Sequence, residues 1–266
     1  MPARTLQPFD PAAVAPWRLG EGRRGVLLLH GFAGTPPELR RLGEHLASRG
    51  WLCVAPALPG HATTPEDLRR HGWRDWTAAA MRELDNLCAA CDSVVVAGQS
   101  MGGALALHLA ANDFRVAAVA SLATPLWFRG LLPRMLPVLQ HLVRWHFPGS
   151  DVDLWDPSAV DELHSYGRRS VHAINELRDL LRQVRGELAQ VRAPVLVMHG
   201  RRDRTADPAC AAEIAARLVC SSAVELVYLP RSGHAVSVDI DRNLVNERVA
   251  SWFEEHTTAS AVHSAV

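Results

Sequence analysis

The stretch that most constrains the fold is Val94-Val95-Val96-Ala97-Gly98-Gln99-Ser100-Met101-Gly102-Gly103-Ala104-Leu105-Ala106-Leu107. A β-branched run stops at Gly98 and helix formers begin directly after Ser100, so a strand passes into a helix through almost no turn. Such a turn forces its apical residue, Ser100, into a strained backbone conformation. The strain is tolerated where neighbours without a Cβ let strand and helix approach closely. Gly98 and Gly102 stand two residues to either side, where the crowding is worst. The outcome is a hydroxyl held clear of the chain at a helix N-terminus, whose dipole favours nearby negative charge. The competing reading is a glycine-rich helix start with Ser100 as a simple N-cap.

The rest of the chain alternates in the same way. Trp17-Arg18-Leu19 has the makings of an edge strand. Val26–Leu29 is a continuous apolar run, as expected of a strand buried on both faces. Thr35-Pro36-Pro37-Glu38 reads as a capping box with proline at the first helical position, and Leu39, Leu42 and Leu46 stripe the helix after it. Strands are expected at Trp51–Ala55, Val116–Ala120, Pro194–Met198 and Val224–Tyr228. Helices are expected at about 75–89, from an Asp207-Pro208 cap to Leu218, and at about 242–256, with a frayed tail from Thr257. This pattern predicts an α/β fold: a mainly parallel sheet with helices on both faces.

The alternation breaks once. From 125 to 189 no strand signal is present and helical segments replace it, at Leu131–Val143 and Val171–Leu188. An insertion of roughly 60 residues is too long for an ordinary connection and is usually functional. It is expected to form a helical cap (125–189) over the carboxyl edge of a core made of 1–124 and 190–266, the edge where open α/β sheets bind ligands. At 266 residues and 48% hydrophobic content one large core is affordable.

Lysine plus arginine and aspartate plus glutamate are equal at 28 each. That balance leaves no electrostatic footprint for nucleic acid or an anionic membrane. The N-terminal stretch shows no apolar signal region and no segment has the length of a membrane span, so a cytoplasmic protein without stable membrane insertion is expected. Five cysteines form an odd set. Cys88-Ala-Ala-Cys91 has redox or zinc spacing, but no second pair completes a tetrahedral site, and the cysteines read as small hydrophobes.

A serine hydroxyl is a poor nucleophile until a base takes its proton, and the base needs an orienting acid. Behind a G-x-S-x-G elbow the chain order is serine, acid, histidine, the last two on later strand–helix loops. Asp203 follows the strand ending at Met198. Only His234, of thirteen histidines, follows the last strand inside a glycine-containing loop. Asp207 reads as a helix cap, and Asp239 and Asp241 as surface. Charge developing on a substrate carbonyl needs two donors: the N–H of Met101, directly after Ser100, and that of Phe32 in His30-Gly31-Phe32.

These residues carry a resemblance. Leu29-His30-Gly31-Phe32-Ala33-Gly34-Thr35, Pro59-Gly60-His61, Asp75-Trp76, Gly98-Gln99-Ser100-Met101-Gly102-Gly103, His199-Gly200-Arg201-Arg202-Asp203 and Ser232-Gly233-His234 resemble the α/β-hydrolase superfamily. Within it, the likeness is to small bacterial carboxylesterases and monoacylglycerol lipases, over about 26–253. Ala62 departs from the glycine that relatives often carry after Pro-Gly-His. The resemblance implies a Ser100–Asp203–His234 triad, donors at Phe32 and Met101, no cofactor or metal, and a small-molecule ester as partner. Among the apolar residues of the insertion, Trp127, Met135, Leu136 and Trp145 are expected to line the acyl site.

Two other classes remain in play. The same triad could act on a thioester, lactone, carbon–carbon bond or peptide; a peptidase would use a carboxylate such as Asp151, Asp153, Asp156, Asp161 or Glu162 to hold the substrate amine. A non-catalytic ligand-binding receptor is the third reading. A dehalogenase is excluded, since that chemistry needs a carboxylate where Ser100 stands.

Overall fold

The computed structural model describes residues 9–130, 132–148 and 153–262. Leu131 and Asp151 lie outside the described residues. The first part of the chain runs β1 (Trp17–Leu19), β2 (Arg24–Leu29), α1 (Arg40–Ser48), β3 (Leu52–Ala55), α2 (Pro65–Leu68), α3 (Trp73–Ala90), β4 (Ser93–Gln99), α4 (Met101–Asn112) and β5 (Val116–Leu122). It continues through α5 (Leu136–Leu142), β6 (Trp145–His146), β7 (Arg169–Ser170) and α6 (Val171–Glu187). The last part is β8 (Val195–Gly200), α7 (Ala209–Arg217), β9 (Val224–Leu229) and α8 (Arg242–Val262). The final helix thus reaches Val262 rather than ending near His256.

Seven strands form one sheet in the spatial order β1-β3-β2-β4-β5-β8-β9, parallel except for β1, which lies antiparallel on β3. Successive side chains of a strand point to opposite faces, and the two cores sort accordingly. Leu27, Leu29, Val94 and Val96 join the core shared with α3, α4, α6 and α7. Val26, Leu28, Val95 and Ala97 join the core shared with α1 and α8. Both faces are covered, which is why the central strands read as unbroken apolar runs. Among the described residues no helix is long and apolar enough to cross a membrane.

Two local expectations are corrected. Thr35 starts a 3-10 turn, Pro36–Leu39, with no side-chain cap; the Glu38 carboxyl turns elsewhere. The stretch expected to lack strands contains β6 and β7, paired antiparallel as Trp145 with Ser170 and His146 with Arg169. Two residues per strand are too few to leave a period in sequence. α6, expected within the inserted stretch, places Leu177, Leu180, Leu181 and Val184 in the same core as α3 and α4.

Candidate active site

Strand β4 delivers Ser100 to the sheet's carboxyl edge with φ +56° and ψ −116°, a strained conformation for a residue bearing a Cβ. The two flanking glycines make it possible. A Cβ on Gly102 would lie 1.8 Å from the Leu29 carbonyl oxygen, and one on Gly98 2.1 Å from that of Gly102. The Ser100 N–H is anchored to the Leu122 oxygen of neighbouring β5 at 2.8 Å. Met101 opens α4, in the first turn, whose N–H groups have no intrahelical acceptor.

The parallel register brings the loops after β8 and β9 to the same edge. His234 Nε2 lies 2.9 Å from Ser100 Oγ, and His234 Nδ1 lies 2.8 Å from Asp203 Oδ2. The ring therefore donates from Nδ1 to the carboxylate and accepts the serine proton at Nε2. Asp203 Oδ1 accepts the N–H groups of Thr205 at 2.9 Å and Ala206 at 2.7 Å, which holds the carboxylate in place. Burial alone would push the Asp203 carboxyl up. The His234 charge and close approach of both His199 and His234 outweigh that and hold it far below the usual carboxylate range. For His234, burial pulls down but Asp203 prevails, with help from Asp153 and Glu38, so the imidazole is raised above its ordinary value.

Several residues around this relay escape a reading of the sequence alone. Asp239 and Asp241, expected at the surface, are buried and build the histidine loop. Asp239 Oδ2 accepts the Gly233 N–H at 2.7 Å, while its Oδ1 accepts those of Trp155 at 2.9 Å and Asp156 at 2.8 Å. Asp241 binds Arg231 and Ser232. Fully buried His199 places Nε2 2.9 Å from Asp203 Oδ2, too poorly aligned for a good hydrogen bond. In the sequence His199 shows only as part of the His199-Gly200-Arg201-Arg202-Asp203 run. His30 is a neutral strut: burial lowers it to about 4, Nδ1–H donates to the Gly31 oxygen at 2.9 Å, and Nε2 accepts the Leu58 N–H at 3.1 Å.

Ser100 and His234 open into a cavity of about 1010 Å³, lined in large part by residues between β5 and β8. Leu136, Leu139 and Val143 of the α5 region and Trp145 line it. Of the four residues expected there, Leu136 and Trp145 face the cavity. Met135, just before α5, is 55% exposed, and Trp127 packs against the core beside Arg185. Phe32 lines the cavity next to Ser100.

This sheet order, with its elbow and carboxyl-edge cavity, is the architecture of the α/β-hydrolases. The chain belongs to the Hydrolase_4 family, described as serine aminopeptidase, S33, which matches residues 20–241. It is 30% identical to a thermostable monoacylglycerol lipase of Bacillus sp. (strain H-257), over 91% of this chain and 94% of that protein. It is 26% identical to a carboxylesterase of Bacillus subtilis (strain 168), over 90% and 96%. A solved structure of the metagenome-derived lipolytic enzymes LipS and LipT superimposes with a TM-score of 0.86 at 28% identity, covering 92% of this chain and 98% of the other.

Proposed function

We propose that the protein is a serine carboxylic-ester hydrolase acting on short-to-medium acyl esters, with monoacylglycerols as candidate natural substrates. The observation that carries this reading is the unbroken Ser100–His234–Asp203 relay opening into a largely apolar cavity. His234 Nε2 takes the Ser100 proton as Oγ attacks the ester carbonyl. The oxyanion is received by the N–H groups of Phe32 and Met101. The alcohol leaves with the proton from His234, and water cleaves the acyl-enzyme by the same route. Asp203 keeps the imidazole in the tautomer that accepts at Nε2 and stabilises the cation that forms. The monoacylglycerol lipase and carboxylesterase among the relatives support the ester as the scissile bond.

The aminoacyl reading has weaker support. Of the carboxylates that could hold a substrate amine, Asp153 Oδ2 is occupied by the N–H groups of Arg204 and Thr205, Asp156 by Ser158 and Arg242, and Glu162 by Arg41. Asp153 and Asp161 both line the cavity wall, and the second Asp153 oxygen, Oδ1, accepts no hydrogen bond among the described residues.

The test is turnover of p-nitrophenyl butyrate and octanoate, then a monoacylglycerol series, beside a panel of aminoacyl amides. Wild type is expected to release p-nitrophenol and Ser100→Ala to lose at least about a thousandfold in kcat. Undiminished release by Ser100→Ala, or preference for the amides, would overturn the reading.

A further inference from the structure

Glu38 is a buried acid that the relay leaves unused; it is 6% exposed at the end of the Pro36–Leu39 turn. Its spacing from Thr35 suits a helix-capping task that it does not perform. Its Oε1 instead accepts the N–H of Gly31 at 2.5 Å, inside the turn between His30 and Phe32. The carboxyl fits because positions 31 and 34 are glycines. A Cβ on Gly34 would lie 2.5 Å from Oε2, and one on Gly31 3.3 Å from Oε1.

The same residue is held from two further directions. The side chain of Gln99, the residue before the nucleophile, lies beside the Glu38 carboxyl and favours its charged form. Gln99 Oε1 in turn accepts the Ser237 N–H at 3.0 Å, and the Ser237 hydroxyl donates to the Glu38 backbone oxygen at 2.7 Å. Gln99 and Ser237 are both buried, and Ser237 stands three residues past His234. The loops after β2, β4 and β9, which carry every group the proposed reaction needs except Asp203, therefore meet at one glutamate.

We propose that Glu38 is a positioning residue for ester hydrolysis: it fixes the turn that presents the Phe32 N–H and, through Gln99 and Ser237, ties that turn to the serine and histidine loops. The proposal rests on the serine-esterase reading above. An oxyanion donor works only where it is already aimed at the developing charge, so loosening its support acts on kcat more than on binding.

Burial raises the Glu38 carboxyl to about 7, against the opposing pull of the Gly31 N–H, His234 and Gln99. It therefore changes charge in the range where a histidine base works. His234 is the titratable group coupled to it. From other elements, Arg129, Asp153, Asp161, Arg169 and Arg204 carry the charges on the same cavity wall. An ionised Glu38 favours the His234 imidazolium, so removing its charge should let the base stay neutral to lower pH.

The experiment measures kcat and KM for p-nitrophenyl butyrate across about pH 5–9 in wild type, Glu38→Ala, Glu38→Gln and Ser100→Ala. Active sites are counted with a fluorophosphonate so that misfolded protein drops out. Amide hydrogen exchange over residues 29–34 is followed in the same proteins. Glu38→Ala should lose about 10- to 100-fold in kcat per titrated site with KM within a few-fold, and residues 29–34 should exchange faster. Glu38→Gln should recover most of kcat and move the acidic limb of kcat/KM to lower pH. Wild-type kcat per site and unchanged exchange in Glu38→Ala, or an unmoved acidic limb in Glu38→Gln, would overturn the proposal. If wild type shows no Ser100-dependent esterase activity, the functional reading fails, and exchange alone still decides whether Glu38 holds the turn.

Discussion

At Asp203 two histidines approach one carboxylate oxygen, His234 Nδ1 at 2.8 Å and His199 Nε2 at 2.9 Å. The charge on that oxygen keeps the His234 proton on Nδ1, leaving Nε2 to face the serine. Asp203→Asn removes the charge and frees the wrong tautomer, so kcat should fall by about four orders of magnitude while the far-UV spectrum stays unchanged. The same charge raises the imidazole above its ordinary value, and the base works only when neutral. The acidic limb of kcat/KM in wild type should accordingly lie above the ordinary histidine midpoint, as a stopped pH series would read. Asp203 and His234 were legible because each follows a strand in the loop that the elbow's chemistry requires. Asp239 and Asp241 were not, since a charged pair before a helix is usually solvated and only the folded loop shows them accepting backbone N–H groups. Met135, largely exposed, and Trp127, packed against the core, lie in non-α-helical segments whose facing no sequence period reveals.

Elements explain why the elbow tolerates its strain. Helix α4 presses against β2 so closely that a Cβ on Gly102 would meet the Leu29 carbonyl oxygen at 1.8 Å. Backbone does not yield as a side-chain tip does, so Gly102→Ala should cost about 3 kcal/mol or more, read as a large fall in Tm. Gly186 in α6 has nothing within 4 Å of its hypothetical Cβ. There the alanine substitution should stabilise by about 0.5–1 kcal/mol, because only helix propensity changes. The crowding at Gly98 and Gly102 could be read from their spacing around Ser100. The capping box at Thr35 misled because a local hydrogen bond lost to a tertiary one, the Gly31 N–H taking the Glu38 carboxylate. The two-residue strands β6 and β7 lay below any detectable period.

For the whole molecule, the break in strand–helix alternation was visible in the chain, but the allegiance of α6 was not, since an amphipathic stripe names no particular partner surface. Stability should carry the mark of Glu38, whose folded value of about 7 lies above the ordinary carboxylate value. An acid raised on folding contributes fully below its unfolded value, and that contribution is lost as pH rises through the folded one. Between roughly pH 4.5 and 7 the wild type should therefore lose up to about 3 kcal/mol that Glu38→Gln keeps, visible as a flatter urea midpoint against pH in the variant. Asp239 has a different reach, because it grips Trp155 and Asp156 with one oxygen and Gly233 with the other. The backbone at 155–156 and the turn just before His234 thus hang on one carboxylate, so that whatever loosens its hold on the first also slackens the second.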